Sequence, residues 1–154
     1  MTRDELIEAI EMAEQRFAQI RPRIEAGAEQ SLPTGTWRVR DALSHLAARA
    51  NPVPTVLRRL ADMDSGTPAA PRLPIDDINA EQVNERHDLS ITEILDEIQA
   101  GHRATLDSIP DDATLVRMLP SANGGESSAA EMIARIGIGH EQNHLNDVLV
   151  ALRA

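Results

Sequence analysis

Over residues 3–28 the apolar positions Leu6, Ile10, Ala13, Phe17, Ile20 and Ile24 recur every three or four residues, the period of one helical face. Pro22 falls inside this stripe and predicts a kink, because a proline removes one backbone hydrogen bond and crowds the preceding turn. The turn formers of SLPTGT then separate this helix from a second, whose Val39, Ala42, Leu43, Leu46, Ala47 and Ala50 again trace a single face. Asn51, Pro52 and Pro54 break that pattern, and VLRRLADM adds about two more turns.

The longest irregular stretch follows, SGTPAAPRLP at 65–74, which could lie over a site. Residues 75–87 read as helix. Ser90 and Glu93 form a capping box, each side chain positioned to bond the other's backbone amide, and the helix they open runs to Ile109 with Pro110 beyond its end. A second box, Ser128 with Glu131, opens the last helix, which carries Ile133, Ile136, Val148 and Leu152. No stretch alternates as a strand would. The expectation is one all-α domain over 1–154, built as a four-helix bundle, a fold whose core commonly holds metal and ligand sites made by facing helices.

Composition changes this picture mainly by exclusion. Apolar residues make up 42% of the chain but aromatics only 1%, so the core must be built from Ala, Leu, Ile, Val and Met. A net charge of −10 would repel a phosphate backbone, which argues against nucleic acid as a partner. Every basic residue is Arg, and without Lys no Schiff-base chemistry is available. The absence of Cys removes disulfides, thiolate metal sites and a thiol nucleophile, so any thiol chemistry needs a thiol from outside. The N-terminus is acidic and amphipathic, and no apolar run of about 18 residues occurs, giving the expectation of a cytoplasmic protein that does not enter a membrane.

Candidate chemistry concentrates in GHEQNHLNDV. His140 and His144 lie about 40° apart on a helical wheel, with Cβ atoms roughly 5–6 Å apart, so both imidazoles can reach one ion. On that wheel they share the side of Ile133 and Ala151, toward the bundle. Glu141 and Asp147 fall in the same sector, where either could orient an imidazole, ligate the ion or act as general base. Histidines at this spacing also arise by chance, and zinc wants a further ligand. The second-helix wheel does not supply it: His45 falls between Asp41 and Arg49, well away from the apolar stripe, and reads as a flanking surface residue. His87 and His102 read as solvated. Trp37 reads as a packing anchor at the start of the second helix, and Asn79 and Arg86 as residues that could line a site from the third helical region.

The stretch TWRVRDALSHLAARA resembles the W-x-V-x-D-x-L-x-H-L-A signature of the DinB-like superfamily, also described as YfiT-like metalloenzymes, and IGHEQNHL resembles its last-helix signature. The resemblance spans essentially the whole chain. INAEQVNERHDLSITEILDEI is similar to the branches of the mycothiol-dependent maleylpyruvate isomerases and of the ClbS/DfsB proteins. It implies a four-helix bundle in which His45 joins His140 and His144 around a divalent ion, zinc or nickel foremost, with iron or manganese also compatible with imidazole ligands. Arg38 departs from the family, which often has a capping Ser or Thr there, and Pro52 and Pro54 shorten the second helix.

Three protein nitrogens leave zinc an open position, the pattern of a catalytic site. The resemblance implies an enzyme that uses a low-molecular-weight thiol, such as mycothiol, bacillithiol or glutathione, to attack a small-molecule electrophile, with Glu141 or Asp147 managing protons and Asn79 and Arg86 binding the co-substrate. Hydrolysis by an activated water is equally compatible. The alternatives are a ClbS-like protective protein that binds or hydrolyses a reactive small molecule, and a bundle with no chemistry. A homodimer through exposed helix faces would suit all three.

Overall fold

The computed structural model describes residues 1–68, 71 and 73–153. The expected loop at 65–74 therefore lies partly outside the described residues. Helix dominates: α1 (Arg3–Gly27), α2 (Val39–Ala47), α3 (Val53–Ser65), α4 (Ile75–Glu85), α5 (Ile91–Asp107), α6 (Asp112–Leu115), α7 (Ala129–Ala134) and α8 (His140–Leu152). A π-helical turn, Arg135–Gly139, joins α7 directly to α8.

Local chemistry sets the boundaries. Thr2, Ser90 and Ser128 each accept from the backbone amide three residues on, and Glu5, Glu93 and Glu131 reach back, so α1, α5 and α7 all start on complete capping boxes. Arg38 cannot accept such a bond. At α2 only the returning half of the box operates, with the Arg38 amide donating to Asp41 Oδ2 at 2.9 Å. Pro22 leaves α1 continuous. Pro52 and Pro54 do not so much end α2 as start α3, where a proline in the first turn costs nothing because its amide would be unpaired anyway. Gly66, at φ 67°, closes α3 in the left-handed conformation that a Cβ would strain.

Two apolar clusters make the core. One gathers Phe17, Ile24, Val39, Leu43, Leu46, Ile94, Leu95, Ile98, Leu145 and Val148, from α1, α2, α5 and α8. The other gathers Leu6, Ile10, Val53, Val56, Leu60, Leu115, Leu119, Met132 and Ile133, from α1, α3, α6, α7 and the short strand segment. That segment is a feature the residue pattern did not announce: β1 (Met118–Pro120) pairs antiparallel with β2 (Glu126–Ser128), burying Leu119. Strands of three residues are too short to show alternation.

Helix α2 is the most enclosed element. It packs against α5, α4 and α8, and of its nine residues only Arg40 escapes full burial. Its tail meets α5 closely, since a Cβ on Gly101 would stand 2.2 Å from that of Ala50. Among the described residues, no helix is long and apolar enough to cross a membrane.

Candidate metal centre

Because α2 is covered on nearly every side, the polar residues Asp41, Ser44 and His45 are buried although they stand off the apolar stripe. A wheel divides a helix into one core face and one solvent face, and that division fails for a helix with neighbours all round. His45 is 2% exposed, not a surface residue. Its ring meets those of His140 and His144 from α8 in a near-equilateral triangle, with centroids 4.8, 4.8 and 4.7 Å apart and ring planes 74–76° to one another. One nitrogen from each can be chosen so that all three lie within 4.8 Å of one another, close enough to hold a metal ion.

The protonation pattern suits ligation. His45 Nδ1 lies 2.6 Å from Gln82 Oε1 on α4, and a carbonyl oxygen only accepts, so Nδ1 carries the proton and Nε2 keeps its lone pair. That Nε2 stands 2.9 Å from His140 Nε2. Two nitrogens bound tetrahedrally at about 2.0–2.1 Å would sit ~3.3 Å apart, so a slight opening of the pair admits zinc. Burial pushes His45 down to about 4 and His140 down to about 3, the latter helped by the charges of His45 and His144. Burial also lowers His144, with the Asp147 charge pulling the other way. Arg49 lowers all three further. The three imidazoles are neutral at pH 7, as metal ligands must be. Trp37 packs over the group, its ring 5.5 Å from His45 and 6.5 Å from His144, so the anchor of α2 also walls the site.

The π-helical turn corrects the wheel for the last helix. An i→i+5 turn accommodates an extra residue, which rotates everything beyond it by about 100° relative to a continuous α-helix. Ile133 and the histidines therefore do not share the simple register assumed for them. Gly137 lies within this turn against Pro52, where a Cβ would stand 3.1 Å from Pro52 Cγ.

The two carboxylates separate. Asp147 is exposed, one turn beyond His144. Glu141 is 7% exposed and turns to His102, whose Nε2 lies 3.0 and 3.1 Å from its two oxygens, while His102 Nδ1 meets Glu14 from α1. His102 is thus no solvated residue: it is 6% exposed. Burial pulls its pKa down, but the hydrogen bonds and charges of Glu141 and Glu14 outweigh this and raise it. A stripe was there to be seen, since His102 continues Ile94 and Ile98 at intervals of four. His87, by contrast, is exposed as expected.

The third-region candidates also part. Arg86 is spent on structure, donating from Nε to Glu97 Oε2 at 2.6 Å, from Nη2 to Glu97 Oε1 at 3.2 Å and from Nη1 to the Gln82 carbonyl at 3.2 Å, which braces α4 against α5. It is not brought to the histidines. Asn79 lies one turn before Gln82, and its Oδ1 is buried without a partner among the described residues. Gln82 and Arg49 were missed; Arg49 carried a signal, four residues after His45, although α2 ends at Ala47 and Arg49 stands in the turn beyond it.

A small cavity of about 20 Å³, roomy enough for one water-sized molecule, is lined by residues of both apolar clusters together with Arg49, His102, His140 and Glu141. The fold and these side chains define an all-α protein with three neutral histidines close enough to hold a metal ion. In comparisons with known proteins no family model matches the chain, and no curated protein or solved structure matches it.

Proposed function

We propose that this chain is a metal-dependent enzyme with a DinB-like four-helix bundle, in which His45, His140 and His144 hold one divalent ion, zinc or nickel foremost. The observation that carries the reading is the convergence of three neutral imidazoles with the His45 tautomer fixed by Gln82. The donor set fits: borderline-soft divalent ions take imidazole nitrogen, and three protein ligands leave a position open.

A bound ion would supply Lewis acidity, lowering the pKa of a thiol or water at that open position. The chain does the rest. Gln82 would keep the His45 lone pair aimed inward, Trp37 would exclude solvent from one side, and Asp147, whose charge is felt at His144, would receive a proton in place of the engaged Glu141. With no cysteine of its own, the protein fits an incoming low-molecular-weight thiol and transfer or isomerisation chemistry on a small electrophile.

The test is elemental analysis of protein purified without a metal-binding tag, followed by assays of thiol addition to a panel of electrophiles with and without chelator. Bound metal and chelator-sensitive turnover are expected. No metal after supply of zinc, nickel and manganese would overturn the reading.

A further inference from the structure

Beside the histidines a cleft of about 340 Å³ opens between the α2–α3 connection, α3, α4 and the π-helical turn, within the size range of small-molecule sites. Its wall includes Arg49, Asn51, Thr55, Arg59, Gln82 and Ile136. Gln82 is the residue that bonds His45, so the cleft reaches the second layer of the candidate metal centre.

Two guanidinium groups line it, and neither makes an ion pair among the described residues, although the chain carries 25 carboxylate side chains. Among the described residues the hydrogen bond Arg59 makes is from Nη1 to the Met132 sulfur, at 3.4 Å. Arg49 is the sharper case. Its Nε is one of two buried side-chain polar atoms left without a hydrogen-bond partner among the described residues. A buried donor of a charged group without a partner is costly, and among the described residues none supplies it an acceptor. A divalent ion on the histidines would add positive charge to the same place.

We propose that this cleft binds the carboxylate of a small organic acid, with Arg49 and Arg59 as its anion-recognising residues, next to the reacting group. The guanidinium fork matches a planar carboxylate. Phosphate is disfavoured because the helix terminus at the cleft offers few amides: the Val53 amide donates to Asn51 Oδ1 at 3.2 Å, Pro54 has none, and the Val56 amide donates to the Pro52 carbonyl. The acid would belong either to the electrophile or to the thiol. The inference rests on the metal-centre reading only for what reacts beside it; the arginines act whether or not an ion is bound.

The experiment titrates benzoate, succinate, benzamide, glutathione and inorganic phosphate into the whole protein, zinc-loaded and metal-stripped, with calorimetry as readout. Arg49→Gln and the exposed-site variant Arg59→Gln run alongside, each checked for helicity. An acid is expected to bind both forms of the wild type, the amide not to bind, and each variant to weaken acid binding about 10-fold or more. Saturation by benzoate or succinate assigns the carboxylate to the electrophile's side; saturation by glutathione alone assigns it to the thiol. Equal acid affinity in wild type and both folded variants, no saturable binding of any acid, or tighter binding of phosphate would overturn the proposal. Acid binding lost in the variants of a protein that takes up no metal would uphold this inference while removing the metal reading.

Discussion

Two histidine groups meet at one small cavity, lined by His140 of the triad and by His102, and their surroundings push protonation in opposite directions. His45, His140 and His144 face one another with no carboxylate bonded to any of them among the described residues, and burial is the largest influence, pushing all three toward the neutral form. His102 is buried like His45, yet Glu14 and Glu141 grip both its nitrogens and raise its pKa. The difference teaches that burial alone does not say what a histidine does. A neutral cluster presents lone pairs and invites a cation, whereas a histidine between two carboxylates is favoured in its protonated form and has both nitrogens spent.

The largest effect should come from emptying the filled group. His102→Ala leaves Glu141 buried without its partner, and the expected loss is about 3–5 kcal/mol of unfolding free energy, read from urea denaturation. A loss under about 1 kcal/mol, the range of exposed pairs, would mean that His102 is not the charged tie between α1, α5 and α8.

Next comes the orienting bond of the open group. Gln82→Ala frees His45 Nδ1, so the tautomer and ring angle are no longer fixed, and zinc affinity should fall about 10–100-fold while helicity holds. Unchanged affinity in a competition titration with a chelator would remove Gln82 from the site.

The two groups should also respond to pH with opposite sign. For the neutral triad the folded pKa lies below the unfolded 6.5, so its stability contribution is present above 6.5 and lost as pH falls toward about 4. For His102 the folded pKa is raised, so its contribution is full below 6.5 and is lost as pH rises through that raised value. Urea midpoints of metal-free protein across pH should therefore show a shallower acid-side slope in His45→Ala, where His140 and His144 still contribute, and keep the wild-type slope in His102→Gln. The reverse assignment would break the comparison.

The smallest effect is expected at Gly137. Alanine there gains helix propensity of up to ~1 kcal/mol but meets Pro52 at 3.1 Å, so stability should move by no more than about 1 kcal/mol. A large loss would show that the π-helical turn depends on this glycine.

How much of this was legible in the chain depends on the element. The capped starts of α5 and α7 and the apolar stripe of α1 stood in the sequence because they rest on local chemistry. His140 and His144 were legible as a pair for the same reason. His45 was not legible from periodicity, because α2 is enclosed by neighbours, and only the resemblance of its surrounding motif singled it out. The register beyond Ile133 was hidden by a π-helical turn that no local signal marks. Glu141 was drawn away from the metal-ligand sector by His102, itself held by Glu14, both remote in sequence, and such long-range pairings are what a single chain does not display.

The most direct measurement sets the two groups side by side: zinc bound per chain in the wild type, His45→Ala and His102→Gln, each shown to be folded by circular dichroism. The expected result is one tightly held ion in the wild type, its loss in His45→Ala and its retention in His102→Gln. Zinc retained by folded His45→Ala, or lost from folded His102→Gln, would contradict the assignment of the metal to the three neutral histidines.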